Sequence, residues 1–402
     1  MQEQEPISDL QAVDAILSKN GFDALVATAP ENVTYIGGFW AMTHWIRRGP
    51  QAYVFWPTAR RSEASIITTT STLDLVADQK PWVSNVRRFG YFVFEGMDRP
   101  GLDPLDQAQV DLLMGEEFPG AVEALVDAIR EAGLSSGKIA VDEIGMTPQA
   151  MARLREALPD LTIEPAFELV RTMRTIKTPE EVRRLRRACN IAEASIDASL
   201  KAAHVGMTEK EMARIFHRTT VENDATPVLG VIGFGVRSTL TNSQPSDAAL
   251  KEGDIIRFDV GGRYMHYRAD ISRIGVMGEP SREIVDKYAA LKNGVDHAYN
   301  VIRPGLKASD LFEQVMDAVR KSGLPDYKRN HVGHGIGIDG YDLPNIAPGS
   351  SDVLQAGMVI CVETPYYEFG LGGLQVEDMI HVTEDGCESL MKSDRELRIV
   401  SA

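Results

Sequence analysis

Apolar positions in the first 160 residues fall into short runs that alternate with amphipathic stretches. Residues 23–28 (DALVAT) form a brief apolar run of strand character, and Ala-Pro-Glu-Asn at 29–32 then predicts a turn. Residues 51–56 and 64–70 are further strand candidates. Residues 121–132 space their apolar side chains for one helix face and stop at Gly133, a natural C-cap. A strand at 138–141 and a helix at 148–158 continue the alternation, which predicts an α/β domain over residues 1–160.

The pattern resets between 159 and 174, so a second domain is expected over residues 161–402. Thr178-Pro179-Glu180-Glu181 is a strong helix start, with Thr178 as cap, Pro179 in the first helical position and Glu181 closing a capping box. That helix is expected to reach Gly206, and a second box at Thr208 and Glu211 opens the next one. Beyond 225 the chain turns to strands and glycine-rich turns, with helices near 281–302 and 309–322. Strands at 255–260 and 267–276 are predicted to join through Gly261-Gly262, and strands at 358–363 and 374–382 form a later pair.

Composition narrows the function classes. The chain is 44% hydrophobic and 25% charged, as globular proteins are. A formal charge of −16 speaks against nucleic acid and against an anionic membrane surface, because both are bound through Lys and Arg. Residues 1–10 are polar and acidic, unlike a signal peptide, and no apolar run is long enough to span a bilayer. Cys189, Cys361 and Cys387 are odd in number and far apart, which argues against a disulfide framework or a thiolate zinc site. A cytoplasmic protein is the expectation.

Four carboxylates lie where strands should be apolar. Asp259 sits in I-I-R-F-D-V, Asp270 in Y-R-A-D-I-S-R, Glu363 in V-I-C-V-E-T-P and Glu377 in L-Q-V-E-D-M-I. Burying an ionised carboxylate without a partner costs several kcal/mol, roughly, or forces it to take a proton. Four gathered together would repel one another unless cations bound them. Two divalent ions resolve the conflict, and His334 in Gly-His-Gly-Ile-Gly offers an imidazole where small residues permit close approach. Oxygen donors with one nitrogen suit Mn, with Fe, Co or Zn as alternatives. Two such ions typically hold a bridging hydroxide that attacks a carbonyl-type carbon.

The order and spacing of these five residues resemble the creatinase/prolidase/methionine-aminopeptidase superfamily, the pita-bread fold. The first two acids stand 11 positions apart, the last two 14, and the histidine lies between the pairs. Ala29-Pro-Glu-Asn-Val-Thr-Tyr-Ile-Gly-Gly-Phe39 looks like the start of a creatinase-type N-terminal domain. Met173-Arg-Thr-Ile-Lys-Thr-Pro-Glu-Glu181 looks like the beginning of the catalytic domain. The resemblance implies an α/β creatinase-type N-terminal domain followed by an α+β pita-bread catalytic domain. It further implies that Asp259 chelates one metal and His334 the other, that Asp270 and Glu377 bridge both, and that Glu363 is both ligand and base. The implied activity is hydrolysis of an amide-type C–N bond in a small molecule or Xaa-Pro dipeptide, by a homodimer.

The substrate residues depart from the pattern of proline-specific members. Asn242, Asn330 and Tyr341 stand where those members usually carry histidines, although His331 adjoins Asn330. Gln375 replaces an arginine two positions before the last glutamate ligand. An amide only hydrogen-bonds where a histidine shuttles protons, and Gln lacks the fixed charge of Arg. The metal residues are therefore complete while the substrate shell differs, which leaves a small non-peptide amide open beside the Xaa-Pro dipeptide. A metal-dependent lyase on an osmolyte-like substrate and a non-catalytic binding protein are the readings from other classes.

Residues 39–48 are rich in aromatics and cations. In relatives the N-terminal domain of one subunit often reaches a partner's active site, which makes Trp40, His44, Trp45 and Arg47 candidates for lining a neighbouring pocket, with inter-domain or dimer packing as the alternative. Tyr366 and Tyr367, just past Glu363, are open to two readings, facing the substrate or local packing. Cys361 shares a strand face with Glu363 and reads as a small buried hydrophobe.

Overall fold

The structure is a computed structural model that describes residues 5–46 and 51–401. It divides into two compact units, Met1–Met173 and Arg174–Ala402. The division falls 13 residues beyond the change of pattern at 160, because a last strand and helix of the first unit occupy the interval.

The first unit carries helices α1 (Leu10–Lys19), α2 (Pro30–Gly37), α3 (Leu73–Gln79), α4 (Pro104–Leu113), α5 (Ala121–Glu131), α6 (Pro148–Ala157) and α7 (Phe167–Met173). Its strands are β1 (Ala24–Ala27), β2 (Tyr53–Pro57), β3 (Ser65–Thr69), β4 (Asn85–Phe89), β5 (Glu117–Phe118), β6 (Gly137–Val141) and β7 (Leu161–Pro165). They form one mixed sheet in the order β5-β4-β3-β2-β1-β6-β7. Val122, Leu125 and Ile129 recur at helical spacing along α5 and are buried in the core with Tyr53, Phe55 and Ile67 of the sheet.

The turn expected at 29–32 is instead the start of α2, with Pro30 in its first turn. Ala29 offers no side-chain cap, and the fold supplies one from 113 residues away. The fully buried Asp142 accepts from the backbone N–H of Thr28 (3.2 Å) and Ala29 (2.7 Å) and from Asn32 Nδ2 (2.7 Å). Asp142→Ala removes the acceptor these three donors share, and we expect a loss of about 3 kcal/mol in urea unfolding. A loss below about 1 kcal/mol would show that other groups cap this helix.

The second unit begins with α8 (Pro179–Ala202) and α9 (Glu209–Glu222), and both expected capping boxes are formed. Helices α10 (Arg282–Val301) and α11 (Ala308–Lys321) follow. The strands are β8 (Thr226–Phe234), β9 (Ile255–Tyr264), β10 (Tyr267–Arg268), β11 (Ile271–Met277), β12 (Gly333–Gly335), β13 (Asp342–Asn345), β14 (Val359–Glu363), β15 (Tyr366–Glu368), β16 (Gly372–Leu374), β17 (Glu377–Val382), β18 (Cys387–Ser389) and β19 (Arg398–Val400). The main sheet runs β10-β9-β11-β17-β14-β12-β13, with β8 on β9, β18 on β17 and β19 on β11. Residues of α10 and α11, among them Leu291, Val295, Val315 and Val319, share a core with Ile274, Ile360, Val362 and Ile380 of the sheet.

Gly261-Gly262 is not the turn its composition suggests. Strand β9 runs through it to Tyr264, and Met265 and His266, both at positive φ, make the turn. A side chain at 261 would sit 1.7 Å from the Ala269 carbonyl oxygen, so glycine there serves close strand approach. Among the described residues no helix is long and apolar enough to cross a membrane.

Candidate metal centre

Strand register brings the acids together. Asp259 of β9 lies opposite Ser272 of β11, Ser272 opposite Glu377 of β17, and Glu377 opposite Glu363 of β14. Three carboxylates thus occupy one row across four adjacent strands, with Glu377 and Glu363 directly paired and Asp259 beyond the intervening Ser272. Asp270 enters from the residue just before β11, and His334 from β12 opposite Cys361. Gly333 and Gly335 make that approach possible, since a Cβ on either would lie 2.0 Å from a carbonyl oxygen of a neighbouring strand.

Two three-donor groups result, each with its ligand atoms within 4.8 Å of one another. One is Asp259, Asp270 and Glu377; the other is His334, Cys361 and Glu377. Glu377 belongs to both. His334 Nε2 stands 3.8 Å from Asp270 Oδ2, and its Nδ1 lies 2.9 Å from the Gly335 carbonyl oxygen, which directs Nε2 toward the acids. Glu363 lies outside both groups and is held by neighbours instead. Gln375 Nε2 donates to it (3.2 Å) and to Glu377 (3.3 Å), and His331 Nδ1 stands 3.2 Å from its other oxygen.

Charge confirms how crowded this place is. Burial, then the neighbouring acids, pushes the Asp270 and Glu377 carboxyls well above the usual range. Burial also raises Asp259, and burial with Asp259 lifts Glu363 to about 7. The buried Asp270 Oδ1 has no hydrogen-bond partner. An orphaned carboxylate oxygen amid like charges is what a divalent cation would satisfy, so the donor set fits such ions. Burial raises the Cys361 thiol well above its ordinary value, so without an ion beside it the sulfur keeps its proton.

These directions predict how the metal-free protein responds to pH. Carboxyls raised in the folded state bind more protons there than in the unfolded chain, so stability falls as pH rises through their folded values. Four histidines lowered by burial, His217, His266, His331 and His334, act in the opposite sense below about 6.5. The melting temperature of the chelator-treated protein should therefore decline from about pH 6.5 to 8, and saturating Mn²⁺ should remove the decline. A metal-free melting temperature that rises over that interval would contradict the acidic cluster.

The proposed substrate residues divide. His331 reaches Glu363, and Gln375 bridges Glu363 and Glu377. The Tyr341 ring stacks on His334 with centroids 4.0 Å apart, yet is 61% exposed, so it covers the ligand from the solvent side. Asn330 is exposed, and Asn242 is exposed with one hydrogen bond, to Thr241. In the first unit Trp40 stacks on His44 at 3.3 Å and Trp45 is exposed, while Arg47 lies outside the described residues. Tyr367 donates to Gln375 Oε1 (3.4 Å) and lies near Arg257 and Arg329. The sequence reading passed over both arginines, although Arg257 stands two positions before Asp259 and so on its face of β9.

Residues 183–384 match the sequence model of Metallopeptidase family M24, and residues 10–176 match that of the Creatinase/Prolidase N-terminal domain. An Xaa-Pro dipeptidase of Pyrococcus furiosus is 31% identical over 232 residues, 57% of this chain and 67% of that protein. An uncharacterized peptidase of Bacillus subtilis is 27% identical over 281 residues, 69% of this chain and 79% of that one. Among solved structures, an X-Pro aminopeptidase from Thermotoga maritima superposes with a TM-score of 0.79 at 22% identity, covering 98% of this chain and 100% of its own. An Xaa-Pro dipeptidase from Bacillus anthracis gives 0.79 at 24%, covering 97% and 99%. The creatinase-type N-terminal domain and the pita-bread catalytic domain are thereby established. The chain belongs to metallopeptidase family M24 and is a metal-dependent hydrolase acting on a C–N bond.

Proposed function

We propose that the protein holds two divalent ions, Mn²⁺ by preference, and cleaves the amide bond of an Xaa-Pro dipeptide or a small amide of similar size. The observation that carries this reading is that Glu377 stands within 4.8 Å both of the carboxylates of Asp259 and Asp270 and of the His334 imidazole, where a ligand shared by two ions would stand. Asp259 and Asp270 would complete one ion's set. His334 would serve the other, with Glu363 beside it. Ions held there would supply Lewis acidity and activate a water at neutral pH.

The chain's own groups provide the rest. Glu363, buried beside the donor groups, is placed to take a proton from water at one carboxylate oxygen and return it to the leaving nitrogen. Gln375 fixes one of its oxygens and His331 the other, so its orientation is set by two partners. Tyr341, above His334, would limit access and offer its hydroxyl to the substrate. The dipeptide reading draws on the Pyrococcus furiosus relative. The exposed Asn242 and the tyrosine over His334 favour the small non-peptide amide as the second reading.

Incubation of the Mn²⁺-loaded protein with Xaa-Pro dipeptides and short Xaa-Pro peptides, followed by mass spectrometry, tests the choice. Products split at the Xaa-Pro bond are expected. A metal-loaded protein that leaves the whole panel intact would discard the dipeptide and direct the search to small amides.

A further inference from the structure

The donor group around His334 holds a sulfur where the resemblance implies an oxygen. Glu363 is the residue implied beside His334, yet it stands outside that group, bonded by Gln375 at 3.2 Å and approached by His331 Nδ1 at 3.2 Å. The Cys361 thiol takes the place instead, its Sγ within 4.8 Å of ligand atoms of both His334 and Glu377. Strand register dictates this. Cys361 of β14 lies opposite His334 of β12 on one side and Met379 of β17 on the other, and alternation puts Glu377 on the face of Met379. Directly opposed residues hold their Cβ atoms about 5 Å apart, close enough for one ion to join the two side chains.

Cys361 is fully buried, and its Sγ lies 3.7 Å from the Asp270 carbonyl oxygen, a long contact even for sulfur. The neighbouring sulfurs are engaged with each other. Cys189 Sγ stands 3.1 Å from Met379 Sδ, which also accepts from the Asp270 backbone N–H at 3.4 Å. A second sign of an absent cation adjoins the thiol: the buried Asp270 Oδ1 has no hydrogen-bond partner, and its Oδ2 lies 3.8 Å from His334 Nε2. The two donor groups therefore differ in kind. Asp259, Asp270 and Glu377 offer oxygen alone, whereas His334, Cys361 and Glu377 offer nitrogen, sulfur and oxygen. Oxygen donors suit Mn²⁺, while thiolate with imidazole suits Zn²⁺ and its spectroscopic counterpart Co²⁺.

We propose that Cys361 is a metal ligand, completing with His334 and Glu377 a site for Zn²⁺-type ions beside an all-oxygen site for Mn²⁺. This rests on the two-ion reading of the centre and narrows the Mn²⁺ preference to the all-oxygen group. It also leaves Glu363 free of metal for proton transfer. As the metal–sulfur bond forms, the thiol proton passes to solvent. Mn²⁺ offered alone still fills both positions, and Zn²⁺ or Co²⁺ in competition should replace one ion of the two. The test titrates the metal-free, full-length protein with Co²⁺ and follows the near-ultraviolet, where thiolate-to-cobalt charge transfer absorbs. A band that saturates at one Co²⁺ per chain is expected. C361S should lose the band yet keep the visible cobalt absorption, and its affinity for the first Zn²⁺ should fall at least about tenfold, since loss of even an outer partner costs that much. X-ray absorption on the wild type with one equivalent of Zn²⁺ needs no variant, and it should show one sulfur at about 2.3 Å.

A Co²⁺-loaded wild type without the band, or a Zn²⁺ shell of oxygen and nitrogen alone, would overturn the proposal. A band that persists in C361S would overturn it too, and one kept there but lost in C189A would assign the sulfur to Cys189. The two readings fail separately. Two bound Co²⁺ ions without a sulfur band would keep the two-ion centre and remove Cys361 from it, whereas a single Co²⁺ with the band would keep Cys361 and remove the second ion.

Discussion

Glu377→Gln should lower kcat/KM by on the order of 10³-fold or more while raising the melting temperature of the metal-free protein. Loss of an outer partner to a metal ligand already costs about 10- to 100-fold, and Glu377 is itself common to both donor groups. The amide keeps the shape of the carboxylate but removes a charge that Asp270, Glu363 and Asp259 all oppose. Activity and metal-free stability should therefore move in opposite directions. Kinetics with calorimetry on the chelated protein check this. A variant that loses activity together with metal-free stability would show that Glu377 acts as a structural partner rather than a ligand.

Asp378→Ala should cost about 3 to 5 kcal/mol, the largest stability effect expected in this unit. Asp378 is fully buried next to Glu377. It stands 2.8 Å from Arg273 Nη2 and 2.7 Å from Arg395 Nη1, and it accepts from the Tyr299 hydroxyl at 2.8 Å. Arg273 is only 2% exposed, so removing its counter-charge strands a guanidinium in the core. Arg273 Nη1 also donates to the backbone carbonyls of Ser272 and Glu377, both at 2.9 Å. Ser272 lies between Asp259 and Glu377 in the row of register, so this arginine secures the strands that present the ligands. Metal affinity should fall with stability, as denaturant unfolding and Mn²⁺ titration of one preparation would show. A loss under about 1 kcal/mol would mean that Glu193 or water compensates Arg273.

What the sequence disclosed follows from where the physics is local. Capping boxes at Thr178 and Thr208 are set by residues three apart, and both formed. The acids were legible because an ionisable group within an apolar strand is conspicuous by itself. What depends on distant chain was hidden. Helix α2 was mistaken for a turn because its cap, Asp142, lies more than a hundred residues away. The glycine pair at 261–262 has a turn composition, yet its role is set by the Ala269 carbonyl across the strand pair. Arg329 and Arg257 went unnoticed because Tyr367, the ring they share, comes from β15. Asn242 is singled out by a family spacing alone, and its side-chain amide donates to the hydroxyl of its neighbour Thr241.

The most direct test is a count of Mn²⁺ ions per chain, by equilibrium dialysis and elemental analysis, for the wild type, Asp259→Asn and Glu377→Gln. The shared-ligand geometry predicts two ions for the wild type, one after loss of Asp259, and none retained at stoichiometric level after loss of Glu377. A wild-type chain that binds no Mn²⁺, or a Glu377→Gln variant that keeps the full complement, would contradict it.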